Sequence, residues 1–451
     1  MTGWRQLTVT VLLLGPSSLL TAQDYTMDLP QLIARSLSQD PRIEERRHNV
    51  QAAHALLDEV AGHGGVHYDL TTFLALTTEV KGGFFEPGTS PQLPRSDKYD
   101  WNGVTPWASL QFSVIKPLYT FGKIEHYSEA ARANIQVKEQ DVRLQNGEIV
   151  YDVSRAYYGY LAAQDIVMLF DDVQARLDKS IDVVTRWLDS GKGKVLQSDL
   201  YALQTGRAIT QRYRGDAEAI RNTALAGLKT LAALDTADTL TLADTHIEPL
   251  PLPETAAEVW QQQALQRRPE MHQLEAGLRA RRELVAASKA DSHPNLFAGV
   301  VGMAALAPGR DRLDNPYITD PFNDYGATPL LGLQWHWEQG VQPAKVAQAR
   351  AELDALTEKS RFARRGIPFQ VTEQYNSLQA SYQGVQNMAE ASRAGRRWMI
   401  STYTNFEAGI EQAEDVLTAF QGYVLAHSDY LRLVNDYNMN VIRMRQVTGE
   451  Y

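Results

Sequence analysis

The chain has 451 residues, no cysteine and a formal net charge of −10 at pH 7. The negative balance argues against a nucleic-acid partner, because binding to a phosphate backbone requires a basic surface. The absence of cysteine excludes disulfides, thiolate metal sites, cysteine nucleophiles and a lipidated N-terminal cysteine. The length is sufficient for a large buried core.

The first 22 residues are predicted to be a secretory signal peptide. Arg5 is the only charge before Asp24, and residues 7–20 are mostly apolar. A short charged start, a short apolar middle and a small-residue end are typical of such a segment. The alternative is an uncleaved membrane anchor, but the apolar stretch is short for a transmembrane helix and is interrupted at 15–18 by Gly-Pro-Ser-Ser.

The rest of the chain reads as two similar halves joined by a linker. The predicted divisions are a first repeat at 23–235, a linker at 236–253 and a second repeat at 254–451. Each repeat contains short helices, a strand, a loop, a second strand and two long helices separated by a glycine-containing turn. The predicted strands cover about 66–80, 107–116, 295–304 and 328–337. The predicted long helices cover about 121–189, 196–231, 343–405 and 412–447.

Alternating hydrophobicity identifies the strands. In the first strand, the apolar residues that alternate with polar ones are Val66, Tyr68, Leu70, Leu74, Leu76 and Val80. This period of two predicts a strand with one apolar face. Such strands occur both in soluble hairpins with one buried face and in membrane barrels. Alternation alone favours the soluble hairpins, because the signal of a barrel strand is weak in any one segment. Four tryptophans lie near the predicted strand ends, where the aromatic girdle of a barrel would sit: Trp101, Trp107, Trp335 and Trp337.

The long helices are the most distinctive prediction. Residues 124–188 contain no proline and few glycines, which allows one helix of roughly 100 Å at 1.5 Å per residue. Residues 417–441 carry two adjacent heptad seams, whereas a helix in a two-stranded coiled coil needs one. Two seams suit a helix with a neighbour on each side, as in a closed ring. A broad-faced helix in a solid bundle is the alternative.

Four segments resemble the TolC-type outer-membrane efflux family. They are the strand-to-helix junction at 117–123 (PLYTFGK), the mid-helix stretch at 152–158 (DVSRAYY), the second hairpin tip at 403–419 (YTNFEAGIEQAEDVLTA), and Asp436-Tyr437 with 447–449 (VTG) in the closing helix. The resemblance spans nearly the whole mature chain. It implies a mainly α fold with a small β part, in which a long α-helical barrel of coiled-coil hairpins joins an outer-membrane β-barrel. The β-barrel would have four strands per protomer and close as a homotrimer.

The resemblance also implies a function. Such a trimer is a passive conduit that exports small molecules or proteins across the outer membrane, with a long periplasmic portion. Its implied partners are outer-membrane lipid, a periplasmic adaptor (membrane fusion) protein and an inner-membrane transporter that supplies the energy. No enzymatic activity, cofactor or metal is implied, and common catalytic and nucleotide-binding motifs are missing from the sequence. The alternative is a secreted or periplasmic coiled-coil scaffold without a membrane barrel.

The resemblance places a periplasmic aperture at the two hairpin tips. The acidic candidates for this aperture are Asp415, Glu411, Glu414 and Asp199. Three copies of Asp415 around a threefold axis would make an anionic ring that attracts cations. The candidates for adaptor docking are Gly191, Lys192, Gly193, Lys194 and Gly409. The alternative for the acids is a solvated position in the first turn of a helix.

Overall fold

The computed structural model describes residues 23–81, 103–191, 195–313, 317, 319–336 and 338–450. The predicted signal peptide lies outside the described residues. So do Trp101, Trp337 and the tip residues Lys192, Gly193 and Lys194.

The described part of the chain is mostly helical, with a smaller β part. The helices are α1 (Leu29–Gln39), α2 (Pro41–Gly62), α3 (Lys123–Ser190), α4 (Gln197–Leu231), α5 (Ala257–Arg267), α6 (Pro269–Ala290), α7 (Val341–Glu407) and α8 (Ala413–Thr448). The strands are β1 (Asp24–Met27), β2 (His67–Thr78), β3 (Val104–Tyr119), β4 (Thr239–Leu242), β5 (Asn295–Leu306) and β6 (Tyr325–Gln334).

Two helices are far longer than those of ordinary domains. α3 has 68 residues and α7 has 67, which corresponds to roughly 100 Å each at 1.5 Å per residue. Each is preceded by a glycine with a left-handed backbone, Gly122 (φ 80) before α3 and Gly340 (φ 85) before α7, where a side chain would be strained. None of the described helices is apolar enough over a sufficient length to cross a membrane.

Four strands form one antiparallel sheet in the order β2-β3-β5-β6. β3 of the first half pairs directly with β5 of the second, for example Ser109 with Ala305. Each long helix follows the second strand of its half, so the sheet sits at one end of the helices. The two halves therefore share a single sheet instead of forming separate hairpins.

This sheet has two chemically different faces, because side chains alternate along each strand. The first, called the apolar face, carries strongly exposed side chains: Tyr68, Leu70, Leu74, Leu76, Leu306, Leu331 and Leu333, each more than 60% exposed. The second, called the polar face, carries Asp69, Thr71, Ser109, Gln111 and Ser113 from β2 and β3, which the register places side by side. The large apolar side chains of these strands thus lie mostly on the uncovered face.

The linker predicted over 236–253 is more structured than the sequence suggested. It contains β4, which pairs in parallel with β1; neither strand was predicted, because four residues are too few to show a period. The following segment is fixed by buried polar groups of the long helices. Asn438 accepts from the backbone N–H of Leu250 and donates to the carbonyl of Glu248, both at 2.8 Å.

Two clusters of buried apolar residues hold the helices together. The larger one lies around the middle of the long helices, and its most buried members include Leu32, Ile149, Val153, Tyr157, Leu378 and Tyr437. The smaller one lies near the hairpin tips and is described below. The tips are therefore packed structures in their own right, although they are far from the sheet.

Candidate functional site

Both helical hairpins turn through a glycine at their tip. Gly191 (φ 63) caps α3 directly after Ser190, and the turn between α7 and α8 contains Gly409 (φ 78). A positive φ is readily adopted by glycine and strains most other residues, which explains a glycine at each turn. The structure thus places the predicted docking residues Gly191 and Gly409 at equivalent positions of the two halves.

Asp199 and Asp415 also occupy equivalent positions, each in the first turn of the helix that follows a tip. The Asp199 carboxylate accepts from the backbone N–H of Leu196 at 2.8 Å. The Asp415 carboxylate accepts from that of Gln412 at 3.1 Å. These bonds satisfy N–H groups that have no partner within the helix, and the negative charge suits the positive helix end.

The four predicted acids differ in exposure. Asp415 and Glu414 are exposed, whereas Asp199 and Glu411 are half-buried. Within the described part of the chain, none of the four forms an ion pair.

A compact apolar cluster lies directly behind the tips. Its fully buried members come from all four long helices: Val184, Leu203, Met399, Phe406 and Val416. The Phe406 ring lies 5.4 Å from that of Trp187, which joins the α3–α4 hairpin to the α7–α8 hairpin. Since the two turns share one cluster, a movement of one tip relative to the other has to disrupt this packing.

Tyr403 links the cluster to charged groups at its edge. Its hydroxyl donates to Glu407 at 2.8 Å, and the Arg176 guanidinium lies 5.5 Å from its ring centre. Burial, followed by the hydrogen bond to Glu407, raises the pKa of Tyr403 to about 12. The phenol therefore stays protonated and keeps its role as a donor at physiological pH.

The structure also contains an open apolar groove that the sequence did not predict. It extends from near the tips along the long helices, toward the sheet. The groove has a volume of about 750 Å³ and lies between α3, α4 and α8. Small residues make room for it, including Gly159 and Gly206. Asp216, Asp429 and Arg432 lie among its lining residues. An apolar floor with polar groups beside it can hold an amphipathic helix of another chain.

Comparisons with known proteins agree with this architecture. Residues 260–450 match the family described as outer membrane efflux protein. The alkaline protease secretion protein AprF of Pseudomonas aeruginosa is 23% identical over 339 residues, which cover 75% of this chain and 68% of AprF.

Solved channel structures share the fold over almost their whole length. The outer-membrane channel OprN matches with a TM-score of 0.73 and 17% identity, covering 94% of this chain and 90% of OprN. CusC matches with a TM-score of 0.72 and 17% identity, covering 96% and 95%. The Campylobacter jejuni outer-membrane channel CmeC matches with a TM-score of 0.73 and 12% identity, covering 94% and 85%.

The fold is thus that of an outer-membrane channel protein: very long paired helices attached to one small antiparallel sheet. The chain is similar to the TolC-type outer-membrane efflux family, in sequence over residues 260–450 and in fold over almost its whole length.

Proposed function

We propose that the chain is the channel subunit of an export system, and that three copies form a continuous conduit through the outer membrane and the periplasm. The observation that carries this proposal is the exposed apolar face at the end of the long helices. Leu74 is 78% exposed and Leu331 is 70% exposed. Burying one such side chain contributes about 1.5–3 kcal/mol, so membrane lipid is a suitable environment for this face.

The open edges of the sheet support a trimer. In the single chain β2 and β6 each pair on one side only. Unpaired backbone groups are not tolerated in lipid, which requires closed barrels or helices. Three sheets joined edge to edge close this gap. A soluble scaffold, the alternative function, would leave both the edges and the apolar face in water.

The hairpin tips form the periplasmic aperture in this proposal. Asp415 is its main acidic residue, with Glu411, Glu414 and Asp199 beside it. A periplasmic adaptor protein docks on Gly191, Lys192, Gly193, Lys194 and Gly409, and on the groove between α3, α4 and α8. An inner-membrane transporter supplies the energy. The cargo is a small molecule or a protein, and AprF, a relative named for protease secretion, adds weight to the second.

Residues 1–22 are proposed to be a signal peptide that directs export and is then removed. The mature chain consists of the repeats 23–235 and 254–451, which the linker 236–253 joins. The expected location is the outer membrane, with the helices extending into the periplasm.

Cell fractionation tests the proposal directly. We expect the mature chain to remain in the outer-membrane pellet after an alkaline carbonate wash, and the purified protein to conduct ions across a planar lipid bilayer. Release into the wash would favour the soluble scaffold instead. If the mature chain stayed in the membrane but did not conduct ions, the proposed membrane barrel would stand and the proposed channel would be ruled out.

A further inference from the structure

The segment between β5 and β6 lies at the end of the sheet that is farther from the long helices, which is called the outer end. There it folds back across the sheet. Its described residues, 307–313, 317 and 319–324, are called the return segment. The backbone N–H of Gly309 donates to the Thr105 hydroxyl at 2.9 Å. Val80 donates to the carbonyl of Gly309 at 3.1 Å and accepts from Asp311 at 2.9 Å. The segment therefore leaves β5, crosses β3 and reaches the residues that follow β2.

The return segment lies on the polar face. Thr105 and Ser109 belong to this face by the strand register, and they are only 3% and 5% exposed. Val104, which points the other way, is 64% exposed. The Phe322 ring packs 5.0 Å from that of Trp107, which also belongs to the polar face. The apolar face stays uncovered.

Several contacts hold the return segment in place. The Arg310 guanidinium lies 3.9 Å from the centre of the Phe322 ring and donates to the carbonyl of Thr78 at 3.0 Å. Asp320, 5% exposed, accepts from the backbone N–H groups of Leu313 and Phe322 at 3.0 and 2.9 Å. The Asn323 amide donates to the Arg310 carbonyl at 2.9 Å. Buried and mutually satisfied polar groups of this kind fix one conformation.

We infer that the return segment narrows the outer mouth of the channel and limits the size of what leaves it. This inference rests on the proposed function: if the apolar face meets lipid, the polar face lines the lumen, and three return segments project into it. The charges around the segment are mixed, with cations at Lys81, Arg310 and Arg312 and acids at Glu79, Asp311, Asp320 and Asp324. The constriction therefore selects by size more than by the sign of charge.

Thiol labelling of the purified protein tests whether the segment covers the sheet. The chain has no cysteine, so each introduced thiol is unique. Ser109→Cys is expected to react at least tenfold more slowly than Gln111→Cys with a small charged thiol reagent, because opening a packed segment costs free energy. Gln111 is the matched control, since it lies two residues along β3 on the same face and is exposed. Equal rates would overturn the inference.

Labelling of intact cells tests the size limit. Gln111→Cys is combined with Arg310→Ala and Phe322→Ala, which remove the stacked pair that anchors the segment. Maleimide polymers of increasing mass are added from outside. We expect the combined variant to admit polymers that Gln111→Cys alone excludes. An identical size limit in both would refute the constriction.

A second pair of thiols separates failure of the constriction from failure of the channel itself. Leu110→Cys lies on the apolar face, next to Gln111 in sequence. In the proposed channel a small charged reagent labels Gln111→Cys and leaves Leu110→Cys unlabelled. Equal labelling at these two positions would refute the proposed orientation of the sheet. If the combined variant fails to assemble, the comparison of Ser109→Cys with Gln111→Cys still decides whether the segment covers the polar face.

Discussion

Asp199 and Asp415 make the same hydrogen bond in different halves of the chain. Each carboxylate accepts from the backbone N–H of the residue three positions earlier, at 2.8 and 3.1 Å. The observed helix-capping role and the proposed charge-based role at the aperture therefore fall on the same two side chains. They can be separated, because asparagine keeps an oxygen acceptor and loses the charge.

Asp415→Asn is expected to reduce the cation selectivity of the channel and its block by multivalent cations, because a ring of negative charge is removed. The helix start is expected to remain intact. Single-channel recording with monovalent and divalent salts measures both properties. Glu414→Gln, the exposed neighbour, is the control and should have a smaller effect. If Asp415→Asn changed neither the ion selectivity of the channel nor its block by multivalent cations, Asp415 would only cap the helix.

Phe406→Ala is expected to destabilise the hairpin tips by about 3–5 kcal/mol, the usual cost of a large-to-small change at a fully buried aromatic residue. Phe406 is 0% exposed and packs against Trp187. Thermal unfolding followed by circular dichroism in detergent measures the change. Ile410→Ala, also at a tip but 74% exposed, serves as the control. Equal unfolding midpoints for the two variants would show that the cluster does not hold the tips together.

His427 is expected to make the helices less stable as the pH falls. It stacks between Tyr423 and Tyr430 on α8, contacts Ser392 on α7 at 2.7 Å, and is influenced by Asp165 and Arg396. Burial lowers the pKa of the His427 imidazole below its ordinary value.

The sign of this effect follows from the two protonation states. Between the lowered folded pKa and the unfolded value, the unfolded chain binds a proton that the folded chain does not, so the free energy of unfolding falls with falling pH. Unfolding midpoints of wild type and His427→Gln, compared between pH 7.5 and 5.5, measure it. We expect a smaller pH dependence in the variant. An identical slope would show that other groups cause the dependence.

Asn438→Ala is expected to loosen the segment that joins the two halves. It removes the hydrogen bonds of Asn438 to the N–H of Leu250 and to the carbonyl of Glu248, at about 0.5–1.5 kcal/mol for each bond. Limited proteolysis of residues 243–250 should become faster. Gln164→Ala removes a more exposed bond to the same segment, from Gln164 to the carbonyl of Thr245 at 3.2 Å, and should have little effect. If wild type and Asn438→Ala were cleaved at equal rates, the hydrogen bonds of Asn438 would not hold this segment in place.

Leu74→Arg is expected to impair assembly in the outer membrane. Leu74 lies on the apolar face, where an arginine near the middle of the bilayer costs about 2–4 kcal/mol. Thr71→Arg, on the polar face of the same strand, is the matched control and should assemble normally. The amount of each variant in the washed outer-membrane pellet measures the difference. If both assembled equally well, the apolar face would not be the one that meets lipid.

The long helices and the main strands could be predicted because each has a strong period in its sequence. Their ends were less predictable. The first strand was predicted to continue to Val80, but β2 ends at Thr78, and Val80 pairs with the return segment instead. The second strand is predicted to end at Lys116, but β3 continues to Tyr119, because a register shift between Pro117 and Tyr119 accommodates the missing N–H of the proline.

The candidate site shows the same limit. The spacing in the two halves was enough to match Asp199 with Asp415, because both follow a tip glycine at a similar distance. The groove and the return segment were not predictable, since they depend on contacts between residues distant in the chain. Thr105 and Gly309, for example, are 204 positions apart, and no local pattern connects them.

The shared sheet has a consequence for biogenesis. Strand β3 ends at Tyr119, and its second partner, β5, begins at Asn295. A chain synthesised from its N-terminus therefore completes the β2–β3 hairpin long before β5 exists. At about 5–20 residues per second, this interval lasts roughly 10–35 seconds. During that time the unpaired edge of β3 is open to wrong pairing, so the hairpin is exposed to misassembly until the second half of the sheet has been made.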